Sequence, residues 1–344
     1  MKAFLEMDAA DRRVLCNQVS AELGLPERSV EKDFWVCWTL DRLFHLPKWG
    51  QLLTFKGGTS LSKGWKLIER FSEDIDIVID RSALGFDGEL APERATSRKQ
   101  ASLRLDELRT AAKDAVANGI QPELQSDIEA NLHSDPDWSL QPDPRDPDGQ
   151  TLLFAYPSAY DAAATYVRPE VKIEMGARSD TDPTETITIT PYVHDVYPEI
   201  VVDAAVEIRA VSPTRTFWEK AMLLHEEHQR TNAESQRQEY LARHFYDLYC
   251  LLKAGIGATA AADRNLFDRV LAHRQVFFRR GRVDYSTLVP GSLQLVPAED
   301  FLPGWKSDYE KMQQEMFYGD VPTFTTIMTS VREFQDKFNE TGRK

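Results

Sequence analysis

The stretch "FKGGTSLSKGWKLIERFSEDIDIVID", residues 55–80, decides the fold prediction for this chain. Its last part, "IDIVID" at 75–80, alternates apolar and acidic residues and predicts a β-strand. The part before it, "TSLSKGWKLIERF" at 59–71, predicts a helix, and "QLLTF" at 51–55 predicts a preceding strand. Strand, tight turn, helix and strand form a compact unit, which brings the glycine turn close to the second strand.

Two acids stand one residue apart in the second of these strands. Because side chains alternate along a strand, the carboxylates of Asp74 and Asp76 project from one face, with Cα atoms about 7 Å apart. Mg²⁺ prefers one or two carboxylates together with substrate phosphates, and like charges this close repel each other without a cation. We therefore predict that Asp74 and Asp76 bind Mg²⁺; the alternative is a pair of solvated acids.

The glycine turn precedes the predicted helix directly. Glycines permit backbone conformations and close approaches that a side chain would block. The first N–H groups of a helix have no partner within the helix and attract a phosphate, and hydroxyls and a lysine follow in the first turns. The alternative is a tight turn that binds no ligand. The predicted phosphate-binding residues are Gly57, Gly58, Thr59, Ser60 and Lys63.

A P-loop is a related motif that this turn does not match. The P-loop pattern GxxxxGK[ST] requires a second glycine directly before the lysine. Here Ser62 occupies that position, and Gly64 follows Lys63 instead of preceding it. The turn is therefore not expected to belong to a P-loop protein.

Two-metal phosphoryl transfer usually needs a third carboxylate, to hold a second ion or to activate the attacking hydroxyl. Glu174 stands in the middle of the alternating stretch "EVKIEMGA" at 170–177, with Lys172 on the same face. Glu174 is our choice for this acid. Glu170, Asp203 and Glu207 remain open alternatives.

Charge and composition limit the possible partners and location. The formal net charge is −14, the opposite of what a general duplex-DNA binder shows, so an RNA partner would need a local basic patch. "AHRQVFFRRGR" at 272–282, with four arginines and two phenylalanines, suits phosphate contacts and base stacking, unless it is a solvated helix end. The sequence shows no apolar run long enough to cross a membrane and no apolar signal core, which predicts a cytoplasmic protein.

The remaining chain shows a change from strands to helices. Residues 8–22, 27–45 and 92–133 predict helices, and "DPDWSLQPDPRDPDGQ" at 135–150 predicts an exposed loop. Further strands are predicted at "TLLFAYP", "EVKIEMGA", "ETITITPYV" and "VEIRAVSP", after which the pattern becomes helical. The sequence thus predicts an α+β domain at 1–212 and a helical C-terminal domain at 213–344.

At this point the motifs resemble a known family. "GGTS" followed by a helix and "SEDIDI" looks like the turn and DxD strand of the nucleotidyltransferase superfamily. The full string at 55–77, with "VEKDFWVCWTL" at 30–40, resembles the AbiEii/AbiGii toxins, nucleotidyltransferase-like toxins of bacterial abortive-infection and type IV toxin–antitoxin systems. The resemblance continues at "TFWEKAMLLHEE" (216–227) and "RHFYDLYCLLKAG" (243–255).

The resemblance implies a nucleotidyltransferase-like mixed sheet with flanking helices and a helical domain that closes over a nucleotide. It implies Mg²⁺, a nucleoside triphosphate as substrate, the 3′ end of tRNA as acceptor, growth inhibition and a cognate antitoxin protein as partner. It makes Asp74 and Asp76 the Mg²⁺ ligands and Ser60 with the glycines a triphosphate cradle. It also makes Lys220 a phosphate-contacting or charge-neutralising residue and Asp247 a second essential acid.

The residues alone also permit simpler interpretations of Lys220 and Asp247. Lys220 lies on an apolar helix face, where its charge would benefit from an anionic partner, or it is a snorkelling lysine. Arg243 and Asp247 are four residues apart, as in an ordinary surface ion pair. Two rival functions stay open: a transferase of the same fold that modifies a small molecule such as an antibiotic, and a nucleotide-binding module without catalysis.

Overall fold

The computed structural model describes residues 1–132, 137–161, 168–229, 239–317 and 319–343. The chain groups into two compact units. The first, which we call the sheet unit, comprises Met1–Trp65 and Phe71–Val211. The second, the helical unit, comprises Lys66–Arg70 and Ser212–Lys344. The polar stretch "TNAESQRQE" at 231–239, which interrupts the helical pattern, lies almost entirely outside the described residues.

A seven-stranded mixed sheet forms the centre of the sheet unit. Its strands are β1 Leu53–Lys56, β2 Ile75–Ile79, β3 Ser139–Pro142, β4 Thr151–Ala155, β5 Glu170–Gly176, β6 Thr184–Ile189 and β7 Val206–Val211. Their order in the sheet is β3-β4-β5-β2-β1-β7-β6. The pairs β2–β5 and β1–β7 are parallel and the other neighbours are antiparallel. This mixed sheet with flanking helices confirms the predicted α+β fold class.

The alternating sequence of the central strands gives the sheet one apolar and one polar face. Ile75, Ile77 and Ile79 of β2 are buried on the apolar face. That face is covered by the third helix, whose Trp35 contacts Phe154 of β4 in an edge-on ring pair. The acids Asp74 and Asp76 alternate with these isoleucines and therefore belong to the opposite, polar face.

The helices of the sheet unit agree with the predictions at 8–22, 27–45 and 92–133, the last as two helices joined by a π-helical turn, Val116–Ile120. A short helix after β1 continues as a second π-helical turn, Ser60–Gly64, and we call residues 57–64 together the turn helix. The helices are α1 Lys2–Glu6, α2 Ala9–Leu23, α3 Glu27–Phe44, α4 Gly57–Thr59, α5 Arg98–Ala115, α6 Gln121–Asn131 and α7 Tyr192–Val196.

Two local predictions are wrong. The helix predicted at 59–71 ends at Gly64, and Lys66 has a positive φ of 52°, because residues 66–70 leave the sheet unit and pack with the helical unit. The predicted loop at 135–150 contains the edge strand β3, which only Leu140 anchors in the core. A short strand that ends in a proline gives little alternating signal, and such strands are found at sheet edges.

The helical unit is built around a cluster of aromatic rings. Trp218 contacts Phe267 and Phe338, and Phe334 packs against Phe217. Within the described part of the chain, no helix is long and apolar enough to span a membrane. The helices of this unit are α8 Pro213–His228, α9 Arg243–Lys253, α10 Ile256–Ala262, α11 Arg264–Phe277, α12 Leu302–Glu315 and α13 Phe324–Glu340.

Candidate active site

A row of charged side chains crosses the polar face of the sheet. Lys56 of β1 is the register partner of Asp76 on β2, and Asp76 is in turn the partner of Glu174 on β5. Register partners project from the same face, so these three side chains lie side by side. Lys172, two residues before Glu174, forms an ion pair with it. The structure thus brings the predicted third acid next to the two aspartates.

The glycine turn packs directly against this row. Gly57 has a positive φ of 83°, and a Cβ atom at this position would overlap the Asp76 carboxylate. The Thr59 hydroxyl donates to the backbone carbonyl of Asp74, and the Ser60 hydroxyl donates to the carbonyl of Gly57 at 3.0 Å. The turn and the aspartates are therefore in contact, as the sequence predicts.

These hydrogen bonds determine which groups of the turn are available to a phosphate. Both hydroxyl-bearing residues, Thr59 and Ser60, are fully buried, and their hydroxyls already bond to the backbone of the site. They hold the turn in shape instead of pointing into solvent. Gly57 and Gly58 are partly exposed, so the turn would offer a phosphate its backbone N–H groups.

Lys63, which we predicted to bind phosphate, is placed elsewhere. Its amine lies 2.8 Å from a carboxylate oxygen of Asp33 on α3, and the side chains of Lys63 and Asp33 are only 5% and 4% exposed. The Lys63 amine also lies 3.7 Å from the centre of the Tyr192 ring. Lys63 anchors the turn helix to α3, and we leave it out of the proposed phosphate site.

A second ion pair from α3 supports the acidic strand. Lys32, the neighbour of Asp33, is buried and its amine lies 2.8 Å from Glu73, the residue before Asp74. Two consecutive residues of α3 therefore hold the turn helix and the entry to β2. A signal for these pairs is present in "VEKDFWVCWTL", where charged residues interrupt an otherwise apolar helix.

The charged form of Asp74 is unfavourable in the absence of a cation. Burial, and then the neighbouring carboxylates of Glu73 and Glu174, raise the pKa of Asp74 to about 6. Among the residues that the structure describes, no three His, Cys, Asp or Glu side chains group closely enough to hold a metal ion. Two carboxylates still fit Mg²⁺, because substrate phosphates and water complete its coordination.

A cleft of about 600 Å³ opens beside these acids within the sheet unit. Its lining is charged, with both signs interspersed, which suits a polar ligand better than an apolar one. The charged residues that line it are Lys32, Glu73, Asp74, Asp143, Arg145, Asp146, Arg168, Glu170, Lys172 and Glu174.

The helical unit contains a separate buried cluster. Asp247 of α9 is fully buried and pairs with Lys220 of α8 at 2.8 Å. Arg70 donates two hydrogen bonds to the same carboxylate, at 2.7 and 2.9 Å. Burial would raise the pKa of Asp247, but Arg70 and Lys220 outweigh it and hold this pKa well below its ordinary value. The alternative of an ordinary surface pair with Arg243 is therefore wrong.

Arg70 is the residue of this cluster that sequence reasoning missed. It lies within the stretch predicted as a helix, and nothing in its neighbours marks it as a partner of a residue 177 positions later. Two cations, Arg70 and Lys220, share the Asp247 carboxylate. Burial lowers the pKa of Lys220, and Asp247 opposes this effect.

Part of the arginine-rich segment at 272–282, which was predicted to contact nucleic acid, makes contacts inside the helical unit. Arg274 donates to both oxygens of Glu226, at 2.7 and 2.8 Å, and Phe277 is buried. Arg280 pairs with the same glutamate at 3.4 Å. Arg279 and Arg282 are exposed, so these two remain for phosphate contacts.

Substituting the glycine that touches Asp76 tests the contact between turn and strand. Gly57→Ala is expected to lower the free energy of unfolding by about 1–3 kcal/mol, from backbone strain and displacement of the carboxylate, and to lower transfer activity at least about tenfold. Gly24→Ala is the matched control, because Gly24 has a φ of 67° with no atom within 4 Å of its Cβ position. Equal activity losses in both variants, measured beside chemical unfolding, would contradict the role of this contact.

The chain is similar to known proteins in sequence and in fold. The profile of the family described as "Nucleotidyl transferase AbiEii toxin, Type IV TA system" matches residues 38–340. Among solved structures, the chain is similar to MenT4, a nucleotidyltransferase toxin from Mycobacterium tuberculosis H37Rv. The similarity has a TM-score of 0.50 at 17% identity and covers 95% of this chain and 89% of MenT4. No curated protein matches the sequence.

Proposed function

The chain belongs to the AbiEii nucleotidyl transferase toxins of type IV toxin–antitoxin systems, and from this we propose that it transfers a nucleotide from a triphosphate to the 3′ end of tRNA. The observation that supports this most is the glycine turn packed against Asp76, beside Asp74 and Glu174. Nucleotidyl transfer needs this combination, because a phosphate-binding turn must lie next to acids that bind a divalent cation. The proposed site of action is the cytoplasm.

The proposed reaction is in-line attack of an acceptor hydroxyl on the α-phosphorus of the triphosphate. Asp74 and Asp76 would hold Mg²⁺, which when bound neutralises the charge of the phosphates. The backbone N–H groups of Gly57 and Gly58 orient the triphosphate. Glu174 orients or deprotonates the attacking hydroxyl, since its side chain is 43% exposed beside the cleft.

Two residues of the helical unit complete the proposal. The family resemblance implies that Lys220 offsets the charge that develops on the leaving pyrophosphate, and we keep this assignment although Lys220 is buried and paired with Asp247. The resemblance also implies that Asp247 is an essential acid. Its contacts support a different form of that role, in which Asp247 holds Lys220 and Arg70 in place. Replacement of Asp247 would then affect transfer through its partners.

The acceptor can be tested with each of the four α-³²P-labelled nucleoside triphosphates, total RNA and Mg²⁺. We expect label in the tRNA fraction with the wild-type protein and none with Asp76→Asn. RNA whose terminal diol has been oxidised by periodate is the matched control, and it should accept no label if the 3′ hydroxyl attacks. Absence of label from all RNA with the wild-type protein would contradict the tRNA proposal and favour a small-molecule acceptor.

The biological consequence follows from the same chemistry. A nucleotide added to the 3′ end of tRNA blocks aminoacylation, so expression of the wild-type protein should stop growth. As a toxin of this family it is expected to have a cognate antitoxin protein. Growth arrest by a catalytically inactive variant would support instead a nucleotide-binding module that acts without transfer.

A further inference from the structure

Lys56 is a charged residue of the candidate site to which no role has been given. It is the last residue of β1 and directly precedes the glycine turn. It is the register partner of Asp76 and projects from the same face of the sheet. It is partly exposed, so a ligand bound beside the turn can reach its amine.

The bonding of Lys56 differs from that of the other lysines around this site. Lys32, Lys63 and Lys172 each form an ion pair with a carboxylate, of Glu73, Asp33 and Glu174 respectively. The Lys56 amine instead donates a hydrogen bond of 2.8 Å to the neutral hydroxyl of Ser179. Within the described residues, no carboxylate lies within ion-pair distance of this amine.

This difference matters for binding a phosphate. A lysine that already pairs with a carboxylate must give up part of that interaction before it can bind a second anion. An ammonium group has three donors, so Lys56 can keep the hydrogen bond to Ser179 and still donate to phosphate oxygens. A charge-assisted hydrogen bond of this kind is stronger than one between neutral groups.

We propose that Lys56 supplies the cationic side chain of the sheet unit that contacts the triphosphate of the nucleotide, with Ser179 holding its amine in place. The proposal rests on the proposed function, and it deepens it by naming the side chain that supplies positive charge at the turn. It also replaces Lys63 in this role. The acids Asp74 and Asp76 hold the divalent cation on one side of the phosphates, and Lys56 contacts them from β1.

Calorimetric titration with α,β-methylene triphosphate analogues of the four nucleosides, in Mg²⁺, tests this without turnover. Lys56→Met is expected to weaken binding of the preferred analogue about tenfold to a hundredfold, as for a lost charge-assisted hydrogen bond. Lys56→Arg should recover most of the affinity. Binding of the corresponding nucleoside, which has no phosphate, should not change.

The control is Lys99→Met, which removes an exposed lysine of the sheet unit on α5 and should leave the affinity unchanged. Thermal unfolding of each variant shows that it is folded. If the wild-type protein binds no analogue, the proposed function itself fails. If it binds and Lys56→Met binds equally well, or loses nucleoside affinity to the same degree, only the assignment of Lys56 is overturned.

Discussion

Asp74→Asn is expected to abolish nucleotide transfer, by about a thousandfold or more, and at the same time to stabilise the metal-free protein. The loss of activity follows from the loss of a proposed Mg²⁺ ligand. The gain in stability follows from the raised pKa of Asp74, which shows that its charged form is unfavourable in the folded state.

The size and pH dependence of the stability gain can be estimated. The difference between 3.8 and about 6 for the pKa of Asp74 corresponds to at most about 3 kcal/mol. Because the side chain is partly exposed, we expect about 1–2 kcal/mol. The wild-type penalty is complete above pH 6 and disappears as the pH falls below the ordinary value of an aspartate, so the two proteins should converge near pH 4.

Chemical unfolding in EDTA at pH 7.5 and at pH 4.5 measures this difference, and a labelling assay measures the activity. Asp80→Asn is the matched control, since Asp80 directly follows β2 and is exposed. It should change neither the activity nor the stability by much. A variant of Asp74 that is less stable than wild type in EDTA would contradict the prediction that the charged form of Asp74 is unfavourable in the folded state.

Asp247→Asn is expected to destabilise the protein by about 3–5 kcal/mol. The substitution removes the negative charge that Arg70 and Lys220 share, and both of these side chains are buried. Lys220→Met is the matched control, because Asp247 then keeps both hydrogen bonds from Arg70. We expect Lys220→Met to cost much less stability while it still lowers transfer.

The pH dependence provides a second test of this cluster. The pKa of Asp247 is lowered in the folded state, so its contribution to stability is complete above about pH 4 and is lost as the pH falls toward the lowered value. Acid unfolding of the wild-type protein should therefore show a component that Asp247→Asn lacks. Equal stability losses for Asp247→Asn and Lys220→Met, measured by urea unfolding, would show that the pairing with Arg70 is unimportant.

Features that depend on residues close together in the chain could be predicted from the sequence. Alternation in "IDIVID" identified β2 and placed Asp74 and Asp76 on one face, because a strand of alternating residues determines its own faces. The glycines predicted a turn close to that strand, and Gly57 packs against Asp76. Local patterns were sufficient for these features.

Partners far apart in the chain could not be predicted. Lys63 follows the turn at the spacing expected of a phosphate ligand, but its orientation is determined by Asp33, thirty positions earlier. In the same way, the helix predicted at 59–71 ends at Gly64, and Arg70 pairs with Asp247, which is 177 positions later in the chain. The sequence shows which side chains are charged, and the tertiary structure determines which of them are already neutralised.

The path of the chain through residues 66–70 has a consequence for dividing the protein into fragments. These five residues belong to the helical unit although both flanking segments belong to the sheet unit. A recombinant fragment that ends at residue 212 would keep Arg70 but lose Asp247, and the complementary fragment would lose Arg70. A single crossover between related genes after residue 212 would pair an arginine and an aspartate of different origin. The two units are therefore expected to be inherited together.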